Sequence, residues 1–321
     1  MLQCWVYNNE RPHSSIGGAP PRKLFEAIQI TEILFLASVR NGRITEEFYM
    51  NCLICKTNME YFFSKSYNVE PYAHMMKGIG KVNYYKCSNC GFSISKTHKE
   101  LDQVRFKKLN YDFHHYLENH DSNVNQPPYL EQATMLKVLT ENRIISMNSA
   151  IDFAGGYGTL SKTLDKYFNI SLAVYDPYTK SQDFTNYVAK EDLTTYKTVF
   201  SSALFEHILK REDFDDINAL VSKTGGAMII HTVICENIPK DPDWFYIEPP
   251  VHTTFHTNKS MRILMEQWGY EACIYCLSAK SWILLKDSNR EIEEKIKKIN
   301  QEFQTEYLTY KEDFIDYWKG F

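Results

Sequence analysis

The stretch Ala150-Ile-Asp-Phe-Ala-Gly-Gly-Tyr-Gly-Thr-Leu160 constrains this chain more than any other. A mostly apolar run reaches a glycine cluster, and a helix-compatible segment, Ser161 to Phe168, follows at once. Strand, glycine turn and helix N-terminus in that order bring backbone close to a ligand and aim free N–H groups at it. The spacing Asp152-x-Ala154-x-Gly156-x-Gly158 is shorter than the dinucleotide fingerprint G-x-G-x-x-G and unlike the phosphate loop G-x-x-x-x-G-K-S/T. On its own it predicts a nucleotide-type ligand and no more.

A second apolar run, Ile170-Ser-Leu-Ala-Val-Tyr-Asp176, ends in a carboxylate 24 residues after Asp152. A βαβ unit with an acid at the tip of its second strand suits a ribose diol, to which a carboxylate makes two hydrogen bonds. Upstream, Pro127-Pro128 opens a helix through about Asn142 whose apolar face carries Leu130, Ala133, Met135, Leu136 and Leu139. Further strands are expected at Tyr187–Ala189, Thr198–Ser202, Gly225–Val233, Glu271–Leu277 and Ser281–Leu285. Ser260–Gly269 reads as a helix.

On these residues the chain resembles the class I S-adenosylmethionine-dependent methyltransferases, whose first motif is typically D-x-G-x-G-x-G. Asp152, Gly156, Gly158 and Asp176 match, and Ala154 stands where glycine is usual. The resemblance implies an α/β fold with a Rossmann-like seven-stranded sheet and S-adenosyl-L-methionine as cofactor. It implies cofactor contacts from Asp152, Ala154, Gly156, Gly158, Asp176, Ser201 and Asp192, the last near the adenine amino group. Ala203-Leu-Phe-Glu-His-Ile208 is similar to the family's frequent helix start after strand four. Lys197 replaces a usual aspartate there.

Cys52-Leu-Ile-Cys55 and Cys87-Ser-Asn-Cys90 form C-x2-C-x31-C-x2-C. Each pair presents two sulfurs from one knuckle, and two knuckles complete a tetrahedral Cys4 zinc site. The spacer exceeds the usual span of about 15 to 20 residues, so a hairpin or insertion must fill it. Such a closed site predicts a structural Zn2+ in a small zinc-ribbon-like N-terminal module. His98, His114, His115 and His120 are irregularly spaced and read as exposed or packing residues. Cys273-x2-Cys276 lies on an alternating strand that sends its sulfurs to opposite faces, and is not expected to bind metal.

Tyr7 to Arg22, with Arg11-Pro-His13 and Gly17-Gly18, resembles the C-terminal tail of integrase-type transposases. The family's catalytic carboxylates would lie upstream of that tail, so its activity is not expected here. The reading is an in-frame fusion remnant over 1–49, with Met50 as a natural start. The rival is a genuine helical extension over Arg22–Val39. The expected organisation is 1–49 remnant, 50–118 Cys4 module, 119–286 methyltransferase domain and 287–321 amphipathic helix.

Downstream, Cys235 to Thr257 reads as a long irregular loop, functional or a lid, beyond strand five. Within it, Pro250-Val-His-Thr-Thr-Phe-His-Thr-Asn-Lys-Ser260 resembles the H-x-x-F/Y-F-S segment of methyltransferases acting on sugar nucleotides. His252 is the first candidate for general base and His207 the second, because imidazole titrates near neutral pH. Glu206 and His231 are candidate orienters. From Asp287 onward, Ile292, Ile296, Ile299, Phe303, Tyr307, Tyr310, Phe314 and Trp318 form one stripe. It either packs on its own domain or pairs two copies into a homodimer.

The formal charge of −4 offers no global basic excess for nucleic acid. No apolar run spans a membrane and no signal peptide is evident, so a cytoplasmic protein is expected. The expected activity is methylation of a small molecule, with a nucleotide sugar or glycan precursor as a candidate. Sugar C-methyltransferases combine a similar Cys4 module with this fold. Two rivals stay open: methylation of RNA or protein gripped through the knuckles and a local patch of Arg105, Lys107 and Lys108, and a non-catalytic binding protein with a degenerate fold.

Overall fold

Short apolar strands alternating with amphipathic helices set the architecture of the computed structural model. The chain divides into Met1–Tyr49 and Met50–Phe321, and the structure describes residues 50–119, 127–179, 186–288 and 290–315. The transposase-like segment and the helix expected over 22–39 lie outside the described residues. In chain order the first half contains β1 (Met50–Asn51), β2 (Asn58–Lys65), α1 (Tyr72–Met75), β3 (Val82–Cys87), β4 (Ser93–Ser95), α2 (Lys96–Glu100) and α3 (Gln103–Asn119). Then come α4 (Tyr129–Glu141), β5 (Ala150–Phe153), α5 (Thr159–Phe168), β6 (Ala173–Tyr175), β7 (Thr198–Ser202), α6 (Arg211–Ala219) and β8 (Ala227–His231). The last third holds β9 (Ile234–Cys235), β10 (Thr254–Thr257), α7 (Asn258–Trp268), β11 (Ala272–Cys276), β12 (Ser281–Leu285), α8 (Arg290–Phe303) and β13 (Leu308–Glu312).

The main sheet has seven strands in the order β13-β11-β12-β8-β7-β5-β6. Strands β6, β5, β7 and β8 run parallel, and β12 is antiparallel to both β8 and β11. This is the α/β, Rossmann-like sheet that the glycine motif implied. Its membership differs from expectation in one strand. Tyr187–Ala189 contributes a single bridge, Tyr187 to Val174, rather than a full strand. The seventh strand is instead β13, which pairs antiparallel with β11.

That strand corrects the C-terminal helix. Helix α8 stops at Phe303, and Gln304 takes a left-handed φ of 51°. Asn300 then holds the returning chain, donating from Nδ2 to the Leu308 carbonyl (2.7 Å) and accepting from the Leu308 N–H at Oδ1 (2.9 Å). Ile292, Ile296 and Ile299 are buried in their own domain's core, with Tyr307 and Tyr310 packed against the same cluster. The stripe is shared between a helix and the strand after it, and Phe314 at its end is buried in the other cluster. Trp318 lies outside the described residues.

The second sheet, β1-β2-β3-β4-β10-β9, is the larger surprise. β10 pairs antiparallel with β4 of the cysteine module and parallel with β9. The segment read as one irregular loop therefore supplies two strands, and the cysteine half shares a sheet with the insertion after β8. Helix α7 starts directly from β10 through a capping box: Ser260 N–H donates to Thr257 Oγ1 (3.1 Å), and Thr257 N–H donates to Ser260 Oγ (2.9 Å). The two faces of the main sheet bury separate clusters. Cys273 lies in one and Cys276 in the other, as the strand period required.

Burial also shapes the pH response. Desolvation holds the imidazoles of His98 and His252 down to about 4, those of His231 and His256 to about 3, and His207 well below its ordinary range. The same cause pushes the carboxyls of Asp152 and Glu206 up to about 7. Below about pH 6.5 the unfolded chain protonates imidazoles that the folded protein keeps neutral. The two carboxyls act oppositely, since the folded state retains protons that the unfolded chain has lost above about pH 4. The lowered imidazoles, His114 among them, outnumber the raised carboxyls, so stability should fall as pH drops from about 6.5 to 4.5. Urea midpoints across that interval check the sign; a midpoint rising on acidification would contradict it.

Candidate cofactor and acceptor site

The glycine turn joins β5 to α5. Ala154, Gly156 and Gly158 have φ of 61°, 53° and 70°, so three residues of the turn are left-handed. Ala154 holds a conformation that costs an L-residue roughly 1–2 kcal/mol. The turn survives this because Ala154 and Gly155 both donate their N–H to the Tyr175 carbonyl, at 2.7 and 3.2 Å. Around Gly156 a Cβ would meet open space, which leaves the backbone approachable from the side expected to take a cofactor.

Gly155, which the motif spacing passes over, is the tightest position. A Cβ there would lie 2.5 Å from Asp152 Oδ2 and 3.0 Å from Val174 Cγ1. Asp152 is itself 2% exposed and cannot swing away. Gly155→Ala is expected to destabilise the fold by about 1–3 kcal/mol through overpacking and to weaken S-adenosylhomocysteine binding. Thermal melting and calorimetry check this. An unshifted melting temperature would show that the carboxylate relaxes freely.

Asp176 stands at the end of β6. Its Oδ2 accepts from the Gly156 N–H (3.0 Å), and its Oδ1 accepts from the N–H groups of Tyr178 and Thr179 (2.8 and 2.7 Å). The carboxylate thus braces the glycine turn as well as its own loop. Oδ1 is filled by its two donors, and Oδ2 carries a second lone pair that a ribose hydroxyl could use. Tyr187, from the strand that did not form, donates its hydroxyl to the Gly156 carbonyl (2.8 Å). Asp192 is exposed on the Lys190–Asp192 turn. Ser201 is buried on β7 with no hydrogen-bond partner for its Oγ among the described residues.

Past β7, the expected helix start is a single 3-10 turn, Phe205–His207, and α6 begins only at Arg211. That turn sets Glu206 and His207 against His252. Donor atoms of these three side chains lie within 4.8 Å of one another. His252 donates from Nδ1 to the Tyr246 carbonyl (2.7 Å), which fixes its tautomer and leaves Nε2 as the bare nitrogen. The Tyr246 and Thr232 hydroxyls hydrogen-bond toward the Glu206 carboxyl. His114 of α3, which the sequence offers as a packing or exposed residue, sets its ring tilted 5.7 Å from that of His207, which is 5.2 Å from His252. Of the two expected orienters, Glu206 joins the cluster, while His231 pairs through Nδ1 with Ser202 Oγ (3.2 Å).

The four knuckle sulfurs also converge, again with all donor atoms within 4.8 Å. Cys52 and Cys90 are 3.5 Å apart, and Cys55 and Cys87 3.4 Å. An ion bonded to four sulfurs at about 2.3 Å would set them about 3.8 Å apart, so the residues fit tetrahedral zinc. The N–H groups of Ile54 and Cys90 each point at a knuckle sulfur, both at 3.4 Å. On α3, Arg105 and Lys108 of the basic patch are paired with Asp102 and Asp112.

No family model and no curated protein matches the sequence. Among solved structures, the chain is similar to the plantazolicin methyltransferase BpumL in complex with a monoazolic desmethyl analogue and S-adenosylhomocysteine. The identity is 11% and the TM-score 0.41, covering 66% of this chain and 93% of that one. It is also similar to magnesium protoporphyrin IX methyltransferase from Synechocystis PCC 6803 with bound S-adenosylhomocysteine, at 14% identity and TM-score 0.36, covering 58% and 98%. Among the described residues, no helix is long and apolar enough to cross a membrane.

Proposed function

We propose that the chain is an S-adenosylmethionine-dependent methyltransferase of a small molecule, with a structural zinc ion in the Cys4 knuckles. The observation that carries this is the glycine turn braced by Asp176 at the carboxyl ends of parallel strands, in a sheet whose β12 runs in reverse. Ligands of open α/β sheets bind at those strand ends. The sulfonium methyl that the cofactor supplies is already electrophilic, so the protein's task is to position an acceptor and remove its proton.

Asp152, Ala154, Gly156, Gly158, Asp176, Asp192 and Ser201 would hold the cofactor. His252 is oriented for the proton: its Nδ1 is occupied by the Tyr246 carbonyl, and Nε2 keeps its lone pair. His207 and Glu206 adjoin it. The acceptor is placed among small molecules carrying hydroxyl groups, with nucleotide sugars and glycan precursors first among them. Two of the three cations of the patch, Arg105 and Lys108, are already paired with acids, which weakens the RNA reading.

A chain beginning at Met50 should remain soluble and bind S-adenosylhomocysteine with micromolar or tighter affinity. Calorimetry reads this directly, and absence of binding would overturn the enzyme reading in favour of a degenerate fold.

A further inference from the structure

The Glu206–His207–His252 cluster is more than a base with an orienter. Two imidazoles and a carboxylate present donor atoms within 4.8 Å of one another, the 2-His-1-carboxylate set that suits first-row divalent transition metals. Glu206 is 2% exposed and His252 9%. Glu206 Oε2 and His207 Nδ1 are buried with no hydrogen-bond partner among the described residues. Buried polar atoms left in that state cost free energy unless something arrives to bind them.

The surroundings are those of a built site. The His252 Nδ1–H bond to the Tyr246 carbonyl is the outer hydrogen bond that a metal-bound imidazole characteristically makes, and it aims Nε2. The two segments that carry the donors are stapled together. Thr253 donates its N–H (2.7 Å) and its hydroxyl (3.1 Å) to the Glu206 carbonyl. The Thr254 hydroxyl donates to the Phe205 carbonyl (2.8 Å). The donor geometry is therefore fixed by backbone contacts before any ion binds. A third imidazole, His114, stands against His207.

We infer that Glu206, His207 and His252 form a binding site for one divalent transition-metal ion, separate from the cysteine knuckles. Three protein ligands leave coordination positions open, unlike the closed Cys4 set. This deepens the methyltransferase reading and, for the acceptor, rests on it: the class favoured is a small molecule with two adjacent oxygens able to chelate. An acceptor hydroxyl on such an ion loses its proton more readily, and His252 then serves as ligand rather than as free base. The metal site itself requires only the three side chains.

The test uses the full chain, its knuckles first loaded with one equivalent of zinc and then equilibrated with cobalt(II). One zinc and one cobalt per chain are expected, the cobalt showing d–d bands with no added sulfur-to-cobalt charge transfer. Glu206→Gln and His207→Asn should each weaken cobalt binding by about 100-fold or more while retaining the zinc. No bound cobalt, cobalt with thiolate charge transfer, or undiminished cobalt in both variants overturns the site. The wild-type spectrum decides even if a variant fails to fold. S-adenosylhomocysteine titration of the same wild-type sample reports separately on the methyltransferase reading, so failure of one cannot be mistaken for failure of the other.

Discussion

Cys90→Ser is expected to unfold much of the molecule, not merely the cysteine knuckles. A structural zinc site carries folding free energy on the order of 10 kcal/mol in isolated small modules, so loss of one ligand should cost at least about 3 kcal/mol here. The damage should spread because the knuckles are not a separate bead. Cys52, Cys87 and Cys90 share one buried cluster with Ile151 of β5, Val199 of β7 and Met261 of α7. Polar contacts reinforce the joint: Gln267 Nε2 donates to the Ile54 carbonyl (3.0 Å), and Lys259 Nζ donates to that of Asn89 (2.8 Å). Arg211 reaches the Leu53 carbonyl (3.3 Å) from the start of α6. The expected result is a melting temperature lowered by about 10 °C or more, loss of bound zinc, and weaker S-adenosylhomocysteine binding. A variant that loses zinc but melts normally would mean that the ion adds nothing to the stability of the fold.

His252→Gln should separate chemistry from cofactor binding. Glutamine is close in size and can donate to the Tyr246 carbonyl, but it offers no imidazole lone pair. Methyl transfer is expected to fall by about 10²–10⁴-fold once an acceptor is found. S-adenosylhomocysteine affinity should stay within about twofold, because the residues proposed to hold the cofactor lie on other segments, on or just past β5, β6 and β7 and on the Lys190–Asp192 turn. A variant with full turnover would remove His252 from the reaction, whether as base or as ligand. One with normal rate per bound acceptor but a raised KM would reassign it to acceptor positioning.

The placement of individual residues shows what local sequence could carry. The turn from Asp152 to Gly158 was legible because strand, glycines and helix start are consecutive, and their backbone preferences are properties of those residues alone. The cysteine pairs were legible for the same reason, since a knuckle is a local turn. Gly155 was not singled out, because its constraint comes from a side chain, Asp152, that folds back beneath it. Tyr187–Ala189 has strand-like residues but makes a single bridge, Tyr187 to Val174. Beyond Phe303 the C-terminal stripe leaves the helix, since apolar spacing does not record where a chain reverses. Asn300, tied to Leu308 at both its amide atoms, makes that reversal.

The histidine cluster shows the deeper limit. The sequence by itself determined the cofactor-type turn, the acid after it, the sulfur ligands and the separate candidacy of His207 and His252. Only the tertiary structure decided that Glu206, His207 and His252 meet, and that His114 stands beside them. The first three are joined by Thr253 and Thr254 bonding to the Glu206 and Phe205 carbonyls, from an insertion that shares the cysteine half's sheet through β4. A strand's apolar alternation tells which face is buried and is silent about the distant edge it will join. Local preference therefore wrote the elements, and long-range register assembled the site.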